Sequence, residues 1–428
     1  MSSLRFRMAT LALGTILASL SPVVASGFSV YEQGAKASGQ AVAFTARADD
    51  ASANWYNPAN IARFEERWLS VGFSTVFLGD TTFTSRMNAI EPGLFTGGRF
   101  DMVDNTAIPV HLHFVSPTKL FGKPFVLGVS LTTPFGLVTE WRLPFDGRFS
   151  GRKADLQTIV LNVNAAVDFG NGWAGALGLD YLDADLKEFT AHVGSLIAAG
   201  VPVEPLSDIS GTGNELGWNA ALGWKDDNWA IGVNYRSGFD VDLDGKVTFS
   251  GVPEPFAAHF PNSKASGVLK LPATLTLGAA YTGLKNWELE VDVHRIGWSS
   301  FSDLPLDFAN PALPDRDVKE NWKSSTSYRF GASVDLAERH ELRFGAYVET
   351  TPIPVAHLRA SIPDSDRLGY TLGYGFHGAR FALDLYLMHI DVKDATTGEA
   401  AYLLDSTIAV GTYETSINLA GLTVSLKL

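Results

Sequence analysis

The chain has 428 residues, 46% of them hydrophobic, 18% charged, with a formal net charge of −13 and no cysteine. The missing cysteines exclude a small secreted domain stapled by disulfides, and the acidic balance argues against a nucleic-acid partner, whose phosphates demand a basic face. Beyond the first 25 residues no apolar run approaches the roughly 20 residues that a membrane helix needs, so a helical membrane protein is excluded as well.

Arg5 and Arg7, an apolar run from Met8 to Leu20 and the small-residue end Val23-Val24-Ala25 make residues 1–25 a secretory leader, with Ser26 as the expected mature N-terminus. Residues 26–66 follow as a segment rich in small side chains (Gly34, Ala35, Ala37, Ser38, Gly39, Ala41, Ala43) with little alternation. It reads as a plug for a confined space, the first of two units, and residues 67–428 as the wall around it. Within the plug, Asp49-Asp50 suits a capped turn and Asn57-Pro58-Ala59 a rigid bend, because proline fixes its own φ and restricts the residue before it.

The wall is a series of two-faced strands. Ile108, Val110, Leu112 and Phe114 share one face while His111 and His113 share the other. Phe125, Leu127, Val129 and Leu131 oppose Val126, Gly128, Ser130 and Thr132. Ile159, Leu161, Val163, Ala165, Val167 and Phe169 oppose Thr158, Asn162, Asn164 and Asp168. Short connectors recur at 117–123, 170–172, 225–228, 283–286, 337–340 and 377–378, and longer ones lie between them. With Trp68 to Leu78 as the first strand and Thr412 to Leu428 as the last, the count is fourteen strands and seven long loops. An even count, short turns at one rim and long loops at the other describe an all-β fold, a fourteen-stranded antiparallel transmembrane β-barrel of a bacterial outer membrane, with the plug in its lumen. Tryptophans at strand ends (Trp68, Trp173, Trp224, Trp229, Trp287, Trp298) suit a bilayer interface. A soluble β-sandwich fits less well, since its strands average about 5 to 6 residues.

Several stretches resemble the FadL family of outer-membrane long-chain fatty acid and hydrocarbon transporters. Pro134-Phe135-Gly136-Leu137-Val138-Thr139-Glu140-Trp141 with Gly147-Arg148-Phe149 is similar to that family's motif after the third strand. Gly27-Phe28, Asp49-Asp50 and Asn57-Pro58-Ala59 resemble its hatch, and Trp298-Ser299-Ser300-Phe301, Pro352-Ile353-Pro354 and Ile362-Pro363-Asp364-Ser365-Asp366-Arg367 its later strands and loops. The resemblance implies a hatch-plugged barrel that takes up hydrophobic molecules passively and releases them sideways through a kinked third strand. The chain departs from the family at Asn162-Val163-Asn164, where relatives often carry proline. Its terminal strand, ending in Leu428, resembles the signal read by barrel assembly machinery, although such signals commonly end in an aromatic residue.

The resemblance also makes the third and fourth outer loops the entrance groove, and both are apolar here: Leu196, Ile197, Val201, Val203 and Leu206 in one, Phe256 and Phe260 in the other. Arg142 and Arg148 are the expected partners of a carboxylate headgroup, since arginine binds carboxylates bidentately. Gly128 is the expected pivot of the kink, because a mid-strand glycine marks a bend or a close backbone approach. Partners are therefore hydrophobic solutes, outer-membrane lipid and lipopolysaccharide, with the chain acting as a monomer; no cofactor, metal site or catalytic residue is expected. Fatty acid, alkane and aromatic hydrocarbon all remain open as cargo. So do two other classes of barrel, a phospholipase and a general porin.

Overall fold

The computed structural model describes residues 27–428 except 79–80, 92 and 121–122; the leader expected over residues 1–25 lies outside the described residues. Fourteen antiparallel strands close on themselves: β1 Trp68–Leu78, β2 Val110–Leu120, β3 Lys123–Thr132 continued by Gly136–Glu140, β4 Lys153–Gly170, β5 Trp173–His192, β6 Leu206–Lys225, β7 Trp229–Arg236 continued by Phe239–Ser250, β8 Ser263–Leu271 continued by Thr274–Leu284, β9 Trp287–Ile296, β10 Ser325–Ala337, β11 His340–Glu349, β12 Arg367–His377, β13 Phe381–Thr397 and β14 Gly411–Lys427. The seam joins β1 to β14, from Trp68 opposite Lys427 to Phe77 opposite Asn418. Closure gives each strand a neighbour on both sides, the condition for crossing hydrocarbon with strands, apart from one break in the third strand.

Side-chain parity sorts the wall into two chemistries. On β4, Leu161, Val163, Val167 and Phe169 face outward and are exposed, while Thr158, Asn162 and Asn164 face inward and are buried. Both β5 and β6 run for 20 residues, well past the roughly 9 to 11 that a tilted strand needs to span a bilayer, and so carry the wall beyond it. Trp173, Trp229 and Trp287 stand exposed beside the short turns, as expected of rings at a bilayer interface. Trp298 does not join them: it is fully buried inside the outer end of the barrel, held by the aromatic rings described below.

The N-terminal segment fills the lumen. It forms two one-turn helices, α1 Ala35–Ser38 and α2 Ala53–Tyr56, and a 3-10 helix over Pro58–Arg63. Asn57 caps the 3-10 helix by accepting from the Ala59 amide at 3.2 Å and also donates to Thr45 O at 2.7 Å, so Asn57-Pro58-Ala59 both starts one turn and ties down another. Small side chains and wall glycines make the close fit: a Cβ at Gly331 would lie 2.9 Å from Gln40 O, and one at Gly278 2.9 Å from the Ala46 amide. The inward polar groups of the wall are then spent on this segment. Thr423 Oγ1 accepts from the Ala35 amide at 2.9 Å, and Ser130 Oγ from Asn54 Nδ2 at 2.6 Å. His113 Nε2 donates to Gln33 O at 2.7 Å, which leaves its Nδ1 as the acceptor facing Ser130 Oγ, while His111 bonds Thr423 at 2.8 Å. His113 thus docks the plug directly, while His111 bonds the wall residue Thr423, which in turn accepts from the plug.

Candidate ligand site

The third strand is where the wall departs from a regular barrel. Its first half pairs with β2 as far as Leu131 opposite Leu112, and with β4 as far as Thr132 opposite Val160. At Thr133-Pro134-Phe135 the strand breaks. It resumes at Gly136–Glu140, now paired with β4 alone, and rejoins the chain ahead of β2 through Val103 N to Glu140 O at 2.7 Å. Proline supplies the cause, since it has no N–H to give a ladder and pushes the residue before it away from regular geometry. The opposite side is interrupted in the same way, at Ile108-Pro109 between Ala107 and Val110. Two prolines on facing strands leave a stretch of edge without its wall partner.

The plug takes that partner's place. Val30 N donates to Pro134 O at 2.7 Å and Gly136 N to Phe28 O at 2.9 Å, with Ser29 bridged to Phe135. A three-residue strand from the lumen thereby satisfies backbone that would otherwise face lipid unpaired, at several kcal/mol per group. Gly128, expected as the pivot, is not the kink. It sits in unbroken pairing, opposite Val115 on one side and Asn164 on the other. A Cβ there would collide with Asn54 Oδ1 and lie 2.7 Å from Ile61 Cδ1, so this glycine makes room for the plug.

Behind the kink lies a cavity of about 80 Å³, walled by Tyr31, Val42 and Trp55 of the plug, Phe135 of the kink, and Arg236 and His294 of the barrel. Phe28 extends it into an aromatic cluster, with its ring 4.6 Å from Trp298, 5.8 Å from Trp322, 5.9 Å from Phe301 and 6.5 Å from Phe135. Arg236 is the polar pole. Its Nη1 donates to Asp180 at 2.7 Å, its Nη2 to Trp55 O at 3.0 Å, and its guanidinium lies 3.7 Å from the Trp55 ring centre. Its Nε, with Ser29 Oγ and Asn234 Oδ1 on the same cavity wall, is buried without a hydrogen-bond partner among the described residues. Burial pushes the Tyr31 phenol well up, so Tyr31 presents a neutral group to the cavity.

The residues singled out from sequence lie elsewhere. The third outer loop carries a short helix, Ser195–Ala198, with Leu196 buried and Ile197, Val201, Val203 and Leu206 half-buried. The fourth carries a 3-10 turn, Glu254–His259, with Phe256 and Phe260 half-buried and Phe260 packed on Phe249 at 5.6 Å. Leu206 pairs with Ser250, so both loops rise from adjacent points of the rim. Arg148 is committed to structure: it forms a two-point bridge to Glu204 at 2.6 and 2.7 Å and lies over Phe149 at 4.4 Å. Arg142 is exposed, 3.7 Å from Asp104. Neither lines the cavity, and the arginine that does, Arg236, closes a strand with no local pattern to announce it.

The sequence matches the family model described as "Outer membrane protein transport protein (OMPP1/FadL/TodX)" over residues 16–427. The chain belongs to this family. Among curated relatives of this OMPP1/FadL/TodX member, a long-chain fatty acid transport protein of Escherichia coli O6:H1 is 27% identical over 87% of this chain and 89% of that one. Outer membrane protein P1 of Haemophilus influenzae is 26% identical over 98% and 99%. Among solved structures, a Pseudomonas aeruginosa FadL homologue superposes with a TM-score of 0.80 over 94% of this chain and 99% of that one, at 18% identity. The toluene transporter TodX of P. putida superposes at 0.68 over 91% and 98%, at 17% identity. The protein is therefore an outer-membrane barrel that transports hydrophobic compounds, and its family is one of transporters, not enzymes.

Proposed function

We propose that this transporter takes up long-chain fatty acids, holding the acid head at Arg236 and the chain along the aromatic cluster toward the kink. The observation that carries the proposal is the unpartnered Arg236 Nε, with Ser29 Oγ and Asn234 Oδ1 beside it, on one wall of a space whose other walls carry Tyr31, Trp55, Phe135 and Val42. A buried donor left without an acceptor costs about 1 to 3 kcal/mol. A hydrocarbon leaves that cost standing; a carboxyl group removes it. Because Asp180 balances the guanidinium, the head is held by hydrogen bonding and not by net charge. The cavity admits a headgroup and a few carbons, so the tail extends past Phe28 and Phe135, where each buried methylene contributes about 0.8 kcal/mol. The two apolar outer loops are the proposed entrance. Release goes sideways, through the edge that Phe28–Val30 cover. Direction comes from consumption of the product inside the cell.

The test is binding of oleate and of dodecane to purified protein carrying Arg236→Met together with Asp180→Asn, the second change avoiding an unpaired buried carboxylate. Hydrogen bonds to a charged group are worth about 1.5 to 3 kcal/mol, so oleate should bind on the order of tenfold or more weakly, with dodecane unchanged. Equal losses for both ligands, or none for oleate, would reassign the cargo to hydrocarbons.

A further inference from the structure

The polar atoms left over around the cavity are of opposite kinds. Arg236 Nε can only donate and Asn234 Oδ1 can only accept, and neither has a partner among the described residues. The free atom of Asn234 is identified by its other end, since Nδ2 donates to Trp55 O at 3.4 Å. A carboxylate offers acceptors alone. It satisfies Arg236 and takes a hydrogen from Ser29 Oγ, but it gives Asn234 nothing.

A further orphan lines the same space from β9. His294 is 5% exposed, and its Nε2 has no hydrogen-bond partner among the described residues. The carboxylate oxygen 3.5 Å from it, Asp292 Oδ2, already accepts from Phe44 N and Thr45 N, both at 3.0 Å. Strand register gives the position of this group. Asn234 of β7 lies opposite Thr276 of β8, and Thr276 opposite His294 of β9, so the three make one inward row across the wall, and all three line the cavity. Arg236 belongs to the neighbouring row, with Thr274 and Ile296. Two strand spacings of about 4.8 Å separate the backbones of Asn234 and His294, and Arg236 stands about 6.6 Å farther along its strand. A single carboxyl group, with both oxygens on one carbon, does not serve Arg236 and His294 together. Buried polar groups are nearly always hydrogen-bonded, so the row calls for a partner other than the acid head.

We propose that Asn234, Thr276 and His294 form a second polar subsite that receives a hydroxyl group borne on the cargo's chain, and that the preferred cargo is a long-chain fatty acid hydroxylated in mid-chain. A hydroxyl fits because it donates and accepts at once: its hydrogen goes to Asn234 Oδ1, and its oxygen accepts from His294 Nε2. The acid head stays at Arg236 and the tail on the aromatic rings, so the inference rests on the fatty acid reading for which end of the ligand lies where. It supplies a selectivity that apolar walls lack, since a site built to hydrogen-bond a hydroxyl rejects the analogue without one far more strongly than an apolar wall rejects an added one.

The experiment is titration of the purified full barrel with oleate and with ricinoleate, two acids of equal length and unsaturation that differ by one mid-chain hydroxyl. A second pair, dodecane and a mid-chain dodecanol, makes the same comparison with no acid head. The parent should bind the hydroxylated member of each pair about tenfold more tightly. Asn234→Leu with His294→Phe should bring both ratios close to one; in this variant Trp55 O keeps its bond from Arg236 Nη2. If the double variant does not give the heat-modifiable folded form, His294→Phe alone is used and should lower each ratio about threefold. Equal binding within both pairs by the parent overturns the subsite, because water then serves the row, and so does a preference that survives in the folded variant. The fatty acid reading fails separately: it falls if Arg236→Met with Asp180→Asn leaves the binding of both acids at the parent's level while the dodecanol preference persists.

Discussion

The plug meets the wall in two contrasting ways. At Phe28–Val30 it offers main chain to main chain, two β-type hydrogen bonds to the broken third strand, backed by aromatic rings. At Phe44–Arg47 it offers amides and a guanidinium to carboxylates of β9. The first contact replaces a missing strand partner where unpaired backbone would face hydrocarbon. The second lies wholly within the polar lumen, where side chains suffice. The wall thus sets which kind of bond the plug must supply: a sealing contact is repetitive and apolar, a docking contact is polar and individually addressable.

The sharpest way to break this contrast is at the seal. Phe28 is buried among four aromatic rings, and Phe28→Ala should remove about 3 to 5 kcal/mol of local stabilisation. The expected result is faster hydrogen exchange of Phe28–Val30 and Gly136 with the exchange of Phe44–Arg47 unchanged; equal acceleration at both would mean that the plug is a single cooperative unit. Next in size is Gly128→Ala, which drives a methyl into Asn54 Oδ1 and Ile61 and should cost about 1 to 3 kcal/mol by overpacking. Thermal melting of the folded band on gels should fall, and a shortening of the side chain at Asn54 should restore it.

Asn57→Ala tests the docking side. It removes both the cap on the 3-10 helix and the donor to Thr45 O, an expected loss of about 1 to 2 kcal/mol, read as increased protease access to residues 44–60 without change at Phe28. The smallest effect is a pH dependence. Burial raises the Asp50 carboxyl from 3.8 to about 6, and the Ser52 amide bonds it at 2.9 Å. A carboxyl that binds its proton more tightly in the folded state favours that state most at low pH, so the Asp50 contribution declines as pH rises from about 4 to 6 and is constant above. Plug protection measured by exchange should follow that window, and Asp50→Asn should flatten it; a profile unchanged by the substitution would remove Asp50 from the account.

The strand count, the alternation of faces and the position of the plug were all legible, because each is a local pattern of period two or a cluster of small residues. The kink was legible only in part. Gly128 and Pro134 both interrupt a strand on paper, but a glycine that makes room for Asn54 and a proline that breaks a ladder differ only in what stands opposite, and Asn54 is distant from Gly128 in sequence. Trp298 read as a belt residue because it follows a strand; its burial depends on Phe28 and Trp322, which arrive from the plug and a later part of the same loop. Arg236 carried no signal at all, since a lone arginine at a strand end takes its meaning from Asp180 and Trp55 on other elements.

The seam between β1 and β14 also sets an order of assembly. Trp68 lies opposite Lys427, and the Ala35 amide reaches Thr423 across 388 positions of sequence. Such distant contacts are slow to form, because the entropy of closing long loops is spent before they repay it. The first strand to be synthesised waits for the last, and through that interval the sheet is an open ribbon whose inner face is within reach of its own N-terminal segment. Once the seam zips, that segment is enclosed. The Ala35 amide can reach Thr423 only once the last strand is in place, so the plug's full set of contacts is completed no earlier than the step that joins the two ends of the chain.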